Sequence, residues 1–251
     1  MRETLYILAS IVLIACQSHT KSSTENKKAI ETQVETSETK TPLWKIGQDS
    51  ILEKNNPKHL DLTKHQLFID TTRTSSFYQA YLDWNPHEFD KQAIAYYTEE
   101  ISKKHQPKHI SIGNFPDIWI TLEKLNNEFV IYDRCDGIST RYFIDNNSVN
   151  FYAIEADADV IHKLNKLTDT EIEIEIRTIP QKSKSEKGLF SIKKTKYDYV
   201  YILTRDYRDW TSRALVTPLK HIDKFDLVVN NCVQTKRMEF KGFDKINFDD
   251  Y

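Results

Sequence analysis

An α+β fold, built on an antiparallel β-meander curled into a barrel or sandwich, is what residues 44–251 predict. Three observations carry this. Glu171 to Arg177 alternates isoleucine with charge without a break, the mark of a strand with one buried and one wet face. Asn126-Asn127 and Asp145-Asn146-Asn147 each divide two runs of alternating apolar residues, which reads as two hairpins. Helical spacing occurs in only two places, one on each side of the strand-rich stretch.

The first helix is expected near 86–104, where Phe89, Ile94, Tyr97 and Ile101 recur at helical intervals. Asn85-Pro86 supplies a cap and a first-turn proline. Lys103, Lys104 and His105 place cations at the negative end of the helix dipole, and Pro107 stops the helix. The hairpins follow: Ile118, Ile120 and Leu122 with Phe129 and Ile131, then Tyr142 to Ile144 with Val149 to Ile154. After the 171–177 strand, Phe190 to Ile192 and Tyr197 to Leu203 form another pair. Pro218, Leu219, Ile222, Phe225, Val228 and Val229 carry helical spacing, and a last strand is expected near Met238 to Phe240.

The N-terminus has a different character. Leu5 to Ala15 is an apolar run of eleven residues behind Arg2, too short for the roughly 20 residues of a membrane-spanning helix but suited to a signal-peptide core. It closes on Leu13-Ile14-Ala15-Cys16, which resembles the lipobox of bacterial lipoproteins. The resemblance implies cleavage after residue 15 and acylation of Cys16, with fatty chains such as palmitate holding the protein in the membrane at about 0.8 kcal/mol per buried CH₂. Gln17 stands where the inner-membrane retention signal of enterobacteria has Asp, which favours the outer membrane. Residues 16–43 lack aromatics and are rich in Ser, Thr, Glu and Lys, the composition of a disordered tether with a reach of roughly 30 Å. The expected organisation is therefore a signal peptide over 1–15, a lipidated cysteine with a tether over 16–43, and one globular domain over 44–251.

Asp49-Ser50-Ile51 and Asp70-Thr71-Thr72 resemble the short O-glycosylation signal of Bacteroidota, making Ser50 and Thr71 candidate sites. The segment Val229-Asn230-Asn231-Cys232 with Met238-Glu239-Phe240 resembles the end of flavobacterial envelope lipoproteins, a likeness that covers about a tenth of the chain and implies no activity.

Chemistry-bearing patterns are sparse. There is no GxSxG, HExxH, CxxC or phosphate-binding loop, and the 5 glycines are scattered. His105 and His109 have the i, i+4 spacing of metal ligands, but Pro107 between them removes the shared helical face. Glu155, Asp157 and Asp159 lack the glycine that a calcium loop needs at its sharp turn. No metal and no cofactor is expected. The formal charge of −2, with both signs interspersed, gives no case for nucleic acid. Trp119, Tyr132, Tyr142 and Tyr152 read either as a sugar platform or as core and cross-strand pairs. Asp133, Arg134 and Asp136 form one charged hairpin tip; Arg205, Asp206, Arg208, Asp209 and Trp210 form another, read either as binding loops rich in interface anchors or as solvated turns. Cys135 and Cys232 are the thiols left after acylation of Cys16, so in an oxidising envelope they pair, provided their Cα atoms lie within about 7 Å.

Three functions are compatible with this. A non-catalytic envelope lipoprotein binding a protein, of inhibitor or immunity type, is the leading expectation. A calycin-like barrel holding a small apolar ligand is the alternative, and an enzyme of unknown type is third.

Overall fold

Strand alternation organises the molecule. A computed structural model describes residues 44–46, 49–51, 63, 65–135, 139–232 and 239–251; Cys16, the tether and Asp136 lie outside the described residues. The chain begins with a hairpin of β1 (Trp44–Ile46) and β2 (Asp49–Ile51), continues through β3 (Gln66–Asp70), and enters two helices, α1 (Ser76–Leu82) and α2 (Glu88–Ser102). The Ser75 hydroxyl caps α1 by accepting from the Tyr78 amide. At α2 the His87 amide donates to Asp90 Oδ2 at 3.0 Å, so the helix starts two residues later than the Asn85-Pro86 signal indicates.

Nine strands follow before the last one: β4 (Ile118–Leu125), β5 (Glu128–Asp133), β6 (Arg141–Ile144), β7 (Ser148–Tyr152), β8 (Asp157–Leu167), β9 (Glu171–Arg177), β10 (Lys187–Lys194), β11 (Tyr201–Tyr207) and β12 (Trp210–Pro218). Strands β4 and β6 to β12 pair antiparallel in succession, and β12 returns to β4 through Leu215↔Leu122 and Pro218↔Trp119. This closes a barrel of 8 strands and leaves it without an open edge. Two register shifts in β8, at Ile161/Lys163 and Leu164/Lys166, supply the local bending that closure requires. The β4–β5 hairpin turns on Asn126 and Asn127 at φ of 49° and 67°, the pair of left-handed residues a type I′ turn needs.

β4 is shared. Its first half belongs to the barrel, while Glu123 to Leu125 pair with β5, which lies parallel to β13 (Asp226–Asn231); β13 pairs antiparallel with β3. This wing creates three cores. Trp119, Phe151, Phe190, Leu203 and the isoleucines of β9 fill the barrel. Ile120, Leu122 and Leu215 face outward onto α1 and the wing residues Phe68, Leu227 and Val229. The far side of the wing, with Ile69, Val130 and Val228, is covered by Phe240.

The helix expected over 218–229 is a 3-10 helix from Leu219 to Lys224 followed by β13. The physical reason is burial on both faces: Leu227 and Val229 enter the second core and Val228 the third, so the run is continuously apolar and its period is lost. The strand expected near 238–240 is also absent from its described part, Glu239 and Phe240, which have no regular structure.

Candidate functional site

The inward residues of β8 and β11 do not all continue the apolar lining. Asp157 and Asp159 precede Ile161 on the inner face of β8, and Arg205 lies between Leu203 and Tyr207 on β11. They meet at one end of the barrel. Lys182, on the loop from β9 to β10, reaches both carboxylates, at 2.9 Å from Asp157 and 2.7 Å from Asp159. Arg205 sits 3.6 and 3.8 Å from the same pair, with its guanidinium 3.5 Å from the centre of the Phe151 ring. The Tyr207 hydroxyl donates to Asp159; burial, with the Asp159 charge second, pushes its acidity far out of the physiological range. Its ring packs against Gly188, where a Cβ would lie 2.8 Å from the ring. Two cations thus face two carboxylates, in a packed plug that satisfies the rule that buried charge must be paired.

This placement corrects the reading of 205–210 as one charged tip. Arg205 is inside the barrel, and the tip itself is only Arg208 and Asp209. Trp210 opens β12, stacks on Tyr207 at 4.4 Å and donates its indole N–H to the Lys182 carbonyl at 2.9 Å. Asp209 accepts from the Ser183 hydroxyl at 2.6 Å. Trp210 and Asp209 clasp the β9–β10 loop onto the barrel end, and Arg208 is exposed. The alternation that carried the β9 strand was masked here because the inward positions are polar.

A second cluster lies at the C-terminal ends of the parallel strands β5 and β13. Cys135 and Cys232 are joined there, with Cα atoms 5.3 Å apart. Tyr132 accepts at its hydroxyl from Asn230 and the Phe240 amide and donates to Glu239 at 2.6 Å; burial raises its pKa to about 12. Asp133 rises to about 6, through burial first and the Glu239 charge second. Arg141, stacked over Tyr81 and Trp84 at 5.0 and 4.7 Å, falls to about 10 because it is desolvated. Ser139 donates to the Tyr132 carbonyl. Arg134 is exposed and lies 3.6 Å from Glu123. No spacing in the sequence links Tyr81, Asp133 and Arg141, which come from three different elements.

The remaining candidates separate. Trp119 and Tyr142 lie in the barrel core, Tyr132 in the third core, and Tyr152 outside the barrel, so they form no platform. His105 binds Glu186 at 3.2 Å, and among the described residues no group of three or more metal-binding side chains occurs. Ser50 lies in β2 and Thr71 directly follows β3.

The outer face carries the exposed apolar groups. Along α2, Phe89 is 74 % and Tyr96 58 % exposed, seven residues apart and hence on one side of the helix. Ile154, in the turn ahead of β8, is 83 % exposed, and the neighbouring Glu155 and Asp157 act on Tyr97 of α2. Between α2 and the β6–β7 hairpin runs a groove of about 470 Å³. No family model matches the chain, and neither the curated proteins nor the solved structures yield a significant match.

Proposed function

We propose that the chain is a non-catalytic envelope lipoprotein, anchored through Cys16 in the outer membrane, whose barrel is a rigid scaffold for binding a protein of the envelope, in the manner of an inhibitor or immunity factor. The observation that carries this reading is the outward aromatic face of α2, formed by the exposed side chains of Phe89 and Tyr96. Aromatic residues are enriched at protein interfaces, and leaving such side chains in water gives up burial worth about 1.5 to 3 kcal/mol each. The charged plug supports a scaffold role, because its ionic groups are already committed to one another.

Affinity capture from crosslinked envelopes tests the reading. The anchored protein is expected to retain a discrete partner that the Phe89→Ser/Tyr96→Ser variant loses at unchanged thermal stability; equal recovery by both proteins contradicts it.

The closed barrel with an apolar lining favours a second reading, a calycin-like carrier of a small apolar ligand. Trp119, Phe151, Phe190 and the stacked Arg205 side chain occupy that interior, so a ligand has to displace packed groups. Saturable micromolar binding of an apolar fluorophore, competed by native lipid extract, supports the carrier; its absence leaves protein binding ahead.

A further inference from the structure

β7 carries one buried polar group that packing does not explain. Val149 and Phe151 point into the barrel, so Ser148, Asn150 and Tyr152 point outward, beneath α2, where they are 4 %, 4 % and 6 % exposed. All three line the groove between α2 and the β6–β7 hairpin. The Asn150 carboxamide oxygen is buried without a hydrogen-bond partner. The Ser148 and Tyr152 hydroxyls flank it on the same face and open onto the groove. Buried polar side chains are paired in the large majority of cases, so the Asn150 oxygen calls for a partner. The orphaned carboxamide oxygen and the two open hydroxyls stand in a row on the floor of one groove.

Their spacing has a meaning. Side chains two apart on a strand stand about 6.6 to 6.8 Å apart, which is also the two-residue repeat of any extended polypeptide laid along them. An asparagine carboxamide offers one acceptor and two donors, the complement of a peptide group. The opposite wall is supplied by α2. Thr98 donates its hydroxyl proton to the Ile94 carbonyl at 2.8 Å, and Ser102 donates to the Thr98 carbonyl at 2.6 Å. Both hydroxyl oxygens therefore offer only lone pairs to the groove, which fits a donor-rich occupant. The rim carries Glu99 and Asp145 against the single cation Lys91, which favours a basic side chain. From Ser148 to Tyr152 the floor spans about 13 Å, and from Ile94 to Ser102 the wall spans about 12 Å.

We propose that the groove between α2 and β7 binds about four residues of extended polypeptide carrying a lysine or arginine, with the Asn150 carboxamide engaging a peptide group of the ligand. This rests on the protein-binding reading and locates a recognition site for it.

The test uses the full chain in detergent and two fluorescent pools of acetylated, amidated hexapeptides, one with lysine and one with glutamate fixed at the third position and the rest randomised. The lysine pool is expected to be retained at least fivefold over the glutamate pool. Asn150→Ala is expected to weaken retention at least tenfold, and Tyr152→Phe several-fold. Because Tyr152→Phe removes only a hydroxyl that opens onto the groove, it should leave the melting temperature unchanged, which a structural role for that hydroxyl does not allow. Equal retention of the two pools, retention unaffected by both variants, or competition by chitotriose in place of peptide overturns the proposal. If the capture experiment yields a partner while neither pool binds, the groove assignment fails and the protein-binding reading stands. If neither yields binding, both fail.

Discussion

Replacing Asp159 by alanine removes the carboxylate on which the barrel plug turns. Asp159 is fully buried; it accepts from Tyr207, lies 2.7 Å from Lys182 and stands 3.8 Å from Arg205. Without it, two cations share Asp157, whose side chain keeps 27 % exposure. Breaking a buried ion pair from one side costs about 3 to 5 kcal/mol, since the partner charge stays desolvated. For a domain of this size, with about 2 to 4 °C per kcal/mol, the melting temperature should fall by roughly 6 to 20 °C. Asp157→Ala leaves the better-placed carboxylate behind and should cost about 1 kcal/mol. Urea unfolding followed by far-UV circular dichroism measures both. Adding Lys182→Met to Asp159→Ala should restore part of the loss, since it removes the orphaned charge. The reasoning is refuted if Asp159→Ala stays within about 1 kcal/mol of the parent, or if the two alanine variants are equally stable.

Three further outcomes are expected. Cys16→Ala should shift the protein from the membrane to the soluble fraction; a variant still bound after a salt wash contradicts acylation as the anchor. Thiol counting on denatured, unreduced protein from the envelope should find Cys135 and Cys232 oxidised, and Cys232→Ala should destabilise by up to about 4 to 5 kcal/mol, because the bond closes a loop across a separation of 97 residues; two free thiols contradict it. Asp133 has its pKa raised to about 6, so its contribution is favourable below the unfolded value near 4 and is lost as the pH rises through 6. Asp133→Asn should therefore gain on the parent by roughly 3 kcal/mol between pH 4 and pH 7, and a difference independent of pH in denaturant titrations refutes this.

The strands with one wet face were legible: β9 alternates isoleucine and charge, and the β4–β5 and β6–β7 hairpins announce their turns with asparagine. Legibility failed where alternation failed. β13 is apolar on both faces and imitates a helix, while β8 and β11 carry charge on the inner face, so Asp157, Asp159 and Arg205 looked like turn residues. Closure of the barrel depends on β12 meeting β4, a pairing between residues about 95 apart in sequence that no local signal encodes. α1 is a seven-residue helix whose cap, Ser75, stands amid other turn-forming residues. The groove was invisible for a similar reason: Ser148, Asn150 and Tyr152 share a strand face, but that they lie buried beneath α2 follows only from how the helix folds back on the barrel.

Site-specific photo-crosslinking tests the protein-binding claim most directly. A photoreactive amino acid is placed at Phe89, at Tyr96 or, as a comparison, at Arg208 on the β11–β12 turn, in the full-length protein within intact cells. Phe89 and Tyr96 should give the same discrete adduct, and Arg208 should give none. Absence of an adduct from both helix positions, or an equal adduct from Arg208, contradicts the claim that the outer face of α2 is where this protein meets its partner.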